Sequence, residues 1–136
     1  MERVITGPVV ADTSVWVEHL RRKGDPGTDF RSALADGRVA LCGPVIAELL
    51  EGLAEPRRVA LEGELLRLPW VGLARRDWHI VGHLAAVLRE RGTRVGLSDI
   101  VIAVAARRVS AIVLTADRDF LTIADAFGDL RVRLVD

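Results

Sequence analysis

Short apolar runs of strand length alternate with longer stretches of helical period along this chain, and few folds accommodate that alternation. PVVAD (8–12), RVALCG (38–43), WVGLA (70–74), AIVLT (111–115) and RVRLV (131–135) read as strands. Between them, 14–22, 28–37, 44–53, 56–68, 76–92 and 97–108 read as helices, with apolar positions on related turns. The punctuation agrees. KGDPG (23–27) breaks the first helix, Thr28 stands where an N-cap of the second belongs, and Gly37 stops it. Pro44 falls in a first helical turn, where its missing N–H costs nothing.

LSDIVIAVAARR (97–108) is rich in Val and Ile and fits strand as well as helix. Three arguments favour helix. Ser98 is placed to cap it, Arg107 and Arg108 suit its C-terminal dipole, and the strand at 111 follows too closely for a hairpin without Gly, Pro or Asn. A helix apolar on nearly every face belongs in the interior. Strands separated by helices imply right-handed βαβ crossovers and a mostly parallel sheet with both faces covered. The expectation is an α/β fold with about five strands, residues 1–136 forming one domain without linker or repeat.

Composition narrows the function. Nineteen basic residues balance nineteen acidic ones, whereas a protein that grips nucleic acid by bulk charge should be basic. Any nucleic-acid role must therefore come from a local site or a partner. The single Cys42 excludes an internal disulfide, and no Cys/His group has zinc spacing. The N-terminal segment has no signal-peptide core, and the longest apolar run, 100–106, is far short of the ~20 residues that span a bilayer. A soluble, cytoplasmic protein is expected.

Four acids occupy unusual places. Asp12 ends the first strand, Asp117 lies just past the fourth, Asp99 is in the first turn of the buried helix, and Glu48 interrupts the apolar stretch VIAELL. Each has an ordinary explanation. Asp12 suits an N-cap, Asp99 a helix dipole, Glu48 a solvated helix position and Asp117 a turn. Yet open parallel sheets bind ligands beyond the carboxyl ends of their strands, at the topological switch point. If the first and fourth strands are neighbours, Asp12 and Asp117 face one crevice.

Carboxylates at ~4 Å repel by roughly 4 kcal/mol per pair at an effective dielectric near 20. No Lys or Arg lies within two residues of Asp12, Glu48 or Asp99, although Arg118 adjoins Asp117. All-oxygen acidic sites suit hard cations, Mg²⁺ or Mn²⁺, which keep waters and take substrate phosphate oxygens as further ligands. That chemistry suits phosphodiester hydrolysis.

The strings ADTSVWVEHL, GPVIAELLEGL, GLSDIVIAVAA and VLTADRDFLTIA, in this order and spacing, resemble segments of PIN-domain ribonucleases, especially the VapC-type toxins of bacterial toxin–antitoxin pairs. The resemblance runs from about Val9 to the C-terminus. It implies an α/β/α sandwich and a Mg²⁺- or Mn²⁺-dependent endoribonuclease whose acidic site maps onto Asp12, Glu48, Asp99 and Asp117. Ser14 matches a hydroxyl common in the family, and Thr115 the threonine that ends the fourth strand. The usual basic residue after that threonine is Ala116 here; Arg118 is the substitute phosphate contact. Asp119 reads either as a further ligand or as a helix start. The resemblance also implies an RNA substrate, an antitoxin partner and a homodimer.

Other features are weaker. His79 and His83 stand four apart but lack the glutamate of a zinc-protease motif, so packing or partner contact explains them better. Cys42 reads as a small core residue and the three Trp as core or interface anchors. An aspartyl-phosphate enzyme would want a second Asp where Ser14 stands, and a receiver domain a late lysine, whereas the only Lys is Lys23. A non-catalytic interaction module that keeps its acids also fits. The apolar residues of 44–54 and 56–68 exceed one stripe per helix, so we expect an exposed groove there, with Trp16 and Leu20 nearby, to receive an antitoxin helix.

Overall fold

Three parallel strands form the centre of the computed structural model, which describes residues 4–21 and 23–135. They are β1 (Val9–Ala11), β2 (Ile112–Thr115) and β3 (Arg131–Leu134), in the order β1-β2-β3. Ala11 pairs with Leu114, and Thr115 with Leu134. On the other side of β1 the sheet continues only as isolated parallel bridges, Val9 to Val39 and Leu41 to Trp70.

The expected second and third strands are thus reduced to single contacts, for a visible reason. Val9 N–H donates to Arg38 O and Ala40 N–H to Val9 O, after which Leu41 turns to pair with the 69–71 segment. A helix starts at Gly43 directly afterwards, and Pro69 brings no N–H to a ladder. With these segments included, the spatial order by chain position is 3-2-1-4-5. The switch point lies between β1 and β2, as in doubly wound sheets.

Val9, Val10, Val113 and Leu114 are all fully buried. Successive strand residues point to opposite faces, so both faces of the sheet are covered and the architecture is a three-layer α/β/α sandwich. The covering helices are α1 (Thr13–Leu20), α2 (Thr28–Ala35), α3 (Gly43–Glu51), α4 (Arg57–Leu65), α5 (Arg75–Glu90), α6 (Leu97–Arg108) and α7 (Asp119–Phe127). α6 is the interior helix its composition demands, with Ile100 to Ala106 buried without a break. Arg22, expected in the first helix, lies outside the described residues, and α1 ends at Leu20.

Two expected caps are corrected. α2 is preceded by Gly27 at φ +92°, a conformation that glycine reaches without a Cβ penalty, and Thr28 is the first helical residue. Gly96 rather than Ser98 precedes α6, because the Ser98 hydroxyl is engaged elsewhere. Cys42 is buried as expected, and burial pushes its thiol up to about 11, so it is inert.

α5 and α6 pack as an antiparallel pair fixed at one end by Asp77. Its Oδ2 accepts from Ala74 N–H at 2.7 Å, closing the start of α5, and also from the Arg108 guanidinium. No helix among the described residues is long and apolar enough to cross a membrane.

Candidate active site at the carboxyl ends of the central strands

Asp12 follows β1 directly and comes level with Thr115, the last residue of β2, because the strands are parallel neighbours in register. Asp12 is 5 % exposed, and both of its carboxylate oxygens accept hydrogen bonds. Oδ1 accepts from Ser14 Oγ at 2.6 Å and from Val15 N–H at 3.3 Å; Oδ2 accepts from Thr115 Oγ1 at 2.5 Å. The ordinary explanation and the functional one therefore coexist, since the residue that caps α1 also stands at the switch point.

Thr115 carries the arrangement onward. Its buried hydroxyl donates to Asp12 and accepts from Asp117 N–H at 2.9 Å, and Asp117 Oδ1 accepts in turn from Asp119 N–H at 2.8 Å. This series of hydrogen bonds sets the turn between β2 and α7 and holds three carboxylates in fixed relation. Asp99 enters from the first turn of α6. Carboxylate oxygens of Asp99, Asp117 and Asp119 all lie within 4.8 Å of one another.

Burial first, and then the charges of Asp117, Asp12, Glu48 and Asp119, push the Asp99 carboxyl up to about 6. The other three sequence-identified acids thus all act on Asp99, with Asp119 as a further contributor. Asp12 and Glu48 stand outside the tightest group. Glu48, on the exposed side of α3, is tied to α6 by Ser98 Oγ, which donates to its Oε1 at 2.8 Å. Nothing in the sequence marked this bond, because it joins residues fifty positions apart. Arg118 is exposed on the rim at the start of α7.

The residues fit a hard divalent cation. Mg–O bonds of 2.0–2.1 Å place trans ligands ~4.2 Å apart, so a spread of 4.8 Å needs little closure. The donors are oxygen alone, and the mutual repulsion that raises Asp99 is what a cation relieves.

Beside Glu48 lies an apolar groove of about 580 Å³, lined by Val17, Leu20, Leu49 and Leu53. It runs between α1 and α3 with Arg57 of α4 at its edge, so Leu20, Leu49 and Leu53 line it as expected, whereas the apolar residues of α4 do not. Val45, Leu49, Leu61 and Leu65 are core residues, and so is Trp16, at 3 % exposure. Val59 and Leu66 are exposed, as are Trp70 and Trp78. His79 and His83 lie on the exposed surface of α5.

Comparison with known proteins extends this picture. Residues 9–126 match the family model of the PIN domain. The protein named Ribonuclease VapC11 of Mycobacterium tuberculosis is 30% identical over 122 residues, covering 85% of this chain and 91% of the relative. Among solved structures, VapBC2 from Rickettsia felis, bound to a DNA fragment from its promoter, superposes with a TM-score of 0.73 at 19% identity, covering 94% of this chain and 98% of the other. VapBC-5 from Mycobacterium tuberculosis, described as a member of a family of toxin–antitoxin systems, gives 0.65 at 25% identity, covering 96% and 98%.

Proposed function

The chain belongs to the PIN-domain family, and from that premise we propose that it is a metal-dependent endoribonuclease, the toxin of a toxin–antitoxin pair. The observation that carries the proposal is the set of carboxylates converging at the switch point, with Asp99, Asp117 and Asp119 inside 4.8 Å. Relatives named VapC ribonucleases support the substrate class.

Asp12, Glu48, Asp99 and Asp117 would hold Mg²⁺ or Mn²⁺, with Asp119 as a further ligand. When bound, the ion supplies charge neutralisation at a phosphodiester and acidifies water. Ser14 and Thr115 act through Asp12, donating hydrogen bonds that fix the orientation of its carboxylate. Ser98 does the same for Glu48. Arg118, on the rim, meets a substrate phosphate. The buried end of β1 and the first turn of α6 keep the acids from moving, so little rearrangement is needed on binding.

The groove between α1 and α3 receives an amphipathic antitoxin helix, whose tail reaches the neighbouring Glu48. VapBC complexes among the structural neighbours support such a partner. A cytoplasmic homodimer completes the reading, with residues 1–136 acting as one domain. The test is to induce the chain alone in a bacterial host and map new RNA ends. Growth arrest with discrete new ends, relieved by the product of a small adjoining reading frame, is expected. Unchanged RNA ends at high expression contradict the proposal.

A further inference from the structure

The acidic site raises a problem that a neutral protein must solve locally. Asp99, Asp117 and Asp119 crowd within 4.8 Å there, with Asp12 and Glu48 also acting on Asp99, and an RNA strand brings more negative charge. The strand has to be gripped beside the acids. We infer that the cleft at the α5–α6 turn is a phosphate-binding subsite for RNA, held by Arg89 and Arg94. The inference rests on the ribonuclease reading and specifies where that substrate is held.

The cleft, about 630 Å³, is lined by Arg89, Thr93, Arg94, Leu97 and Ile100 over the buried Leu88. Asp99 shares the first turn of α6 with Leu97 and Ile100 but leaves it on another face, so cleft and acids lie on different sides of one helical turn, ~5.4 Å of axis. The turn reads RERGTR (89–94), three guanidiniums against one carboxylate. Among the described residues Arg91 pairs with Asp125 at 3.7 Å, whereas Arg89 and Arg94 have no ion pair.

Cations left without acids, one helical turn's width from the Asp99, Asp117 and Asp119 group, suit an anion that must approach those acids. Guanidinium forks match phosphate oxygens, and the Thr93 hydroxyl is a further donor to them. Leu97, 60 % exposed, forms an apolar lip for a base or ribose. The ordinary role of Arg89 is to complement the C-terminal dipole of α5. Such a role would change the melting temperature and leave RNA binding unmoved.

The test measures binding of a fluorescent single-stranded RNA against KCl concentration, in Mn²⁺ and an Asp12→Asn background that prevents cutting. Arg89→Gln with Arg94→Gln should weaken binding roughly tenfold at 0.1 M salt and flatten the log–log salt slope by about 1.4, two contacts at ~0.7 each. Arg75→Gln with Arg76→Gln removes the same charge from the far end of α5, ~20 Å away, and should leave the slope unchanged. Equal weakening by both pairs, or by neither, overturns the inference, as does a parent chain that binds no RNA. If the unmutated chain cuts RNA while the Arg89/Arg94 pair keeps its full slope, only this inference fails. If the chain cuts nothing yet binds RNA through this pair, only the ribonuclease reading fails.

Discussion

Asp99 is the residue whose chemistry departs furthest from that of an ordinary surface acid. Its carboxyl, raised from 3.8 to about 6, is neutral in folded and unfolded chain alike only well below pH 3.8. Between about pH 4 and 6 the unfolded chain gives up this proton while the folded chain keeps it, so metal-free stability falls as pH rises through that window. Asp99→Asn removes the effect. In EDTA the variant should gain on the parent from pH 4 to pH 7, by about 1–2 kcal/mol after allowing for solvent screening. Thermal melts of both proteins read the difference directly; a gap constant with pH is the contrary result. Thr115 offers a second test. Its hydroxyl serves Asp12 and Asp117 at once inside the core, so Thr115→Val leaves two groups unsatisfied without changing shape. Urea unfolding should show a loss of about 2–4 kcal/mol, against under 1 kcal/mol for a hydroxyl that water could replace.

Among the elements, the α5–α6 pair depends on Asp77, which is 7 % exposed and accepts from both Ala74 N–H and Arg108. Asp77→Ala strips the start of α5 of its acceptor and leaves Arg108 unpaired. A cost of about 1–3 kcal/mol in urea unfolding is expected, with metal affinity unchanged because the pair is at the other end of α6 from Asp99. This contact was invisible in the sequence, since no local rule joins positions 77 and 108. α6 was legible to its bounds although its Val and Ile fit a strand as well, because the two C-terminal arginines and the close-following strand at 111 decided for helix. The strands at 38–43 and 70–74 were legible as apolar segments but not as single bridges, because pairing depends on where the chain turns at Leu41. The acids at strand ends were legible from position alone. The Ser98–Glu48 bond was not, because Ser98 fits a cap equally well until the fold brings α3 beside α6. There a tertiary contact competed with a local preference and won.

The whole molecule is a parallel sheet whose order reverses beside β1, with carboxylates from β1, α3, α6 and the β2–α7 turn meeting at that reversal. An apolar groove includes Glu48 in its lining, and an arginine cleft is lined by Leu97 and Ile100 of the helical turn that carries Asp99. Neutral net charge is consistent with a protein that meets its substrate at one place rather than over its surface. The central claim, that these carboxylates serve a divalent ion in cutting RNA, is tested most directly by cleavage with purified protein. Labelled RNA should be cut internally in Mg²⁺ or Mn²⁺, remain whole in EDTA, and be cut again when metal is restored. Asp12→Asn and Asp99→Asn, both folded, should each be slower by more than the ~10–100-fold that loss of an indirect metal partner costs. Cleavage that persists undiminished in EDTA or in either variant would contradict the account.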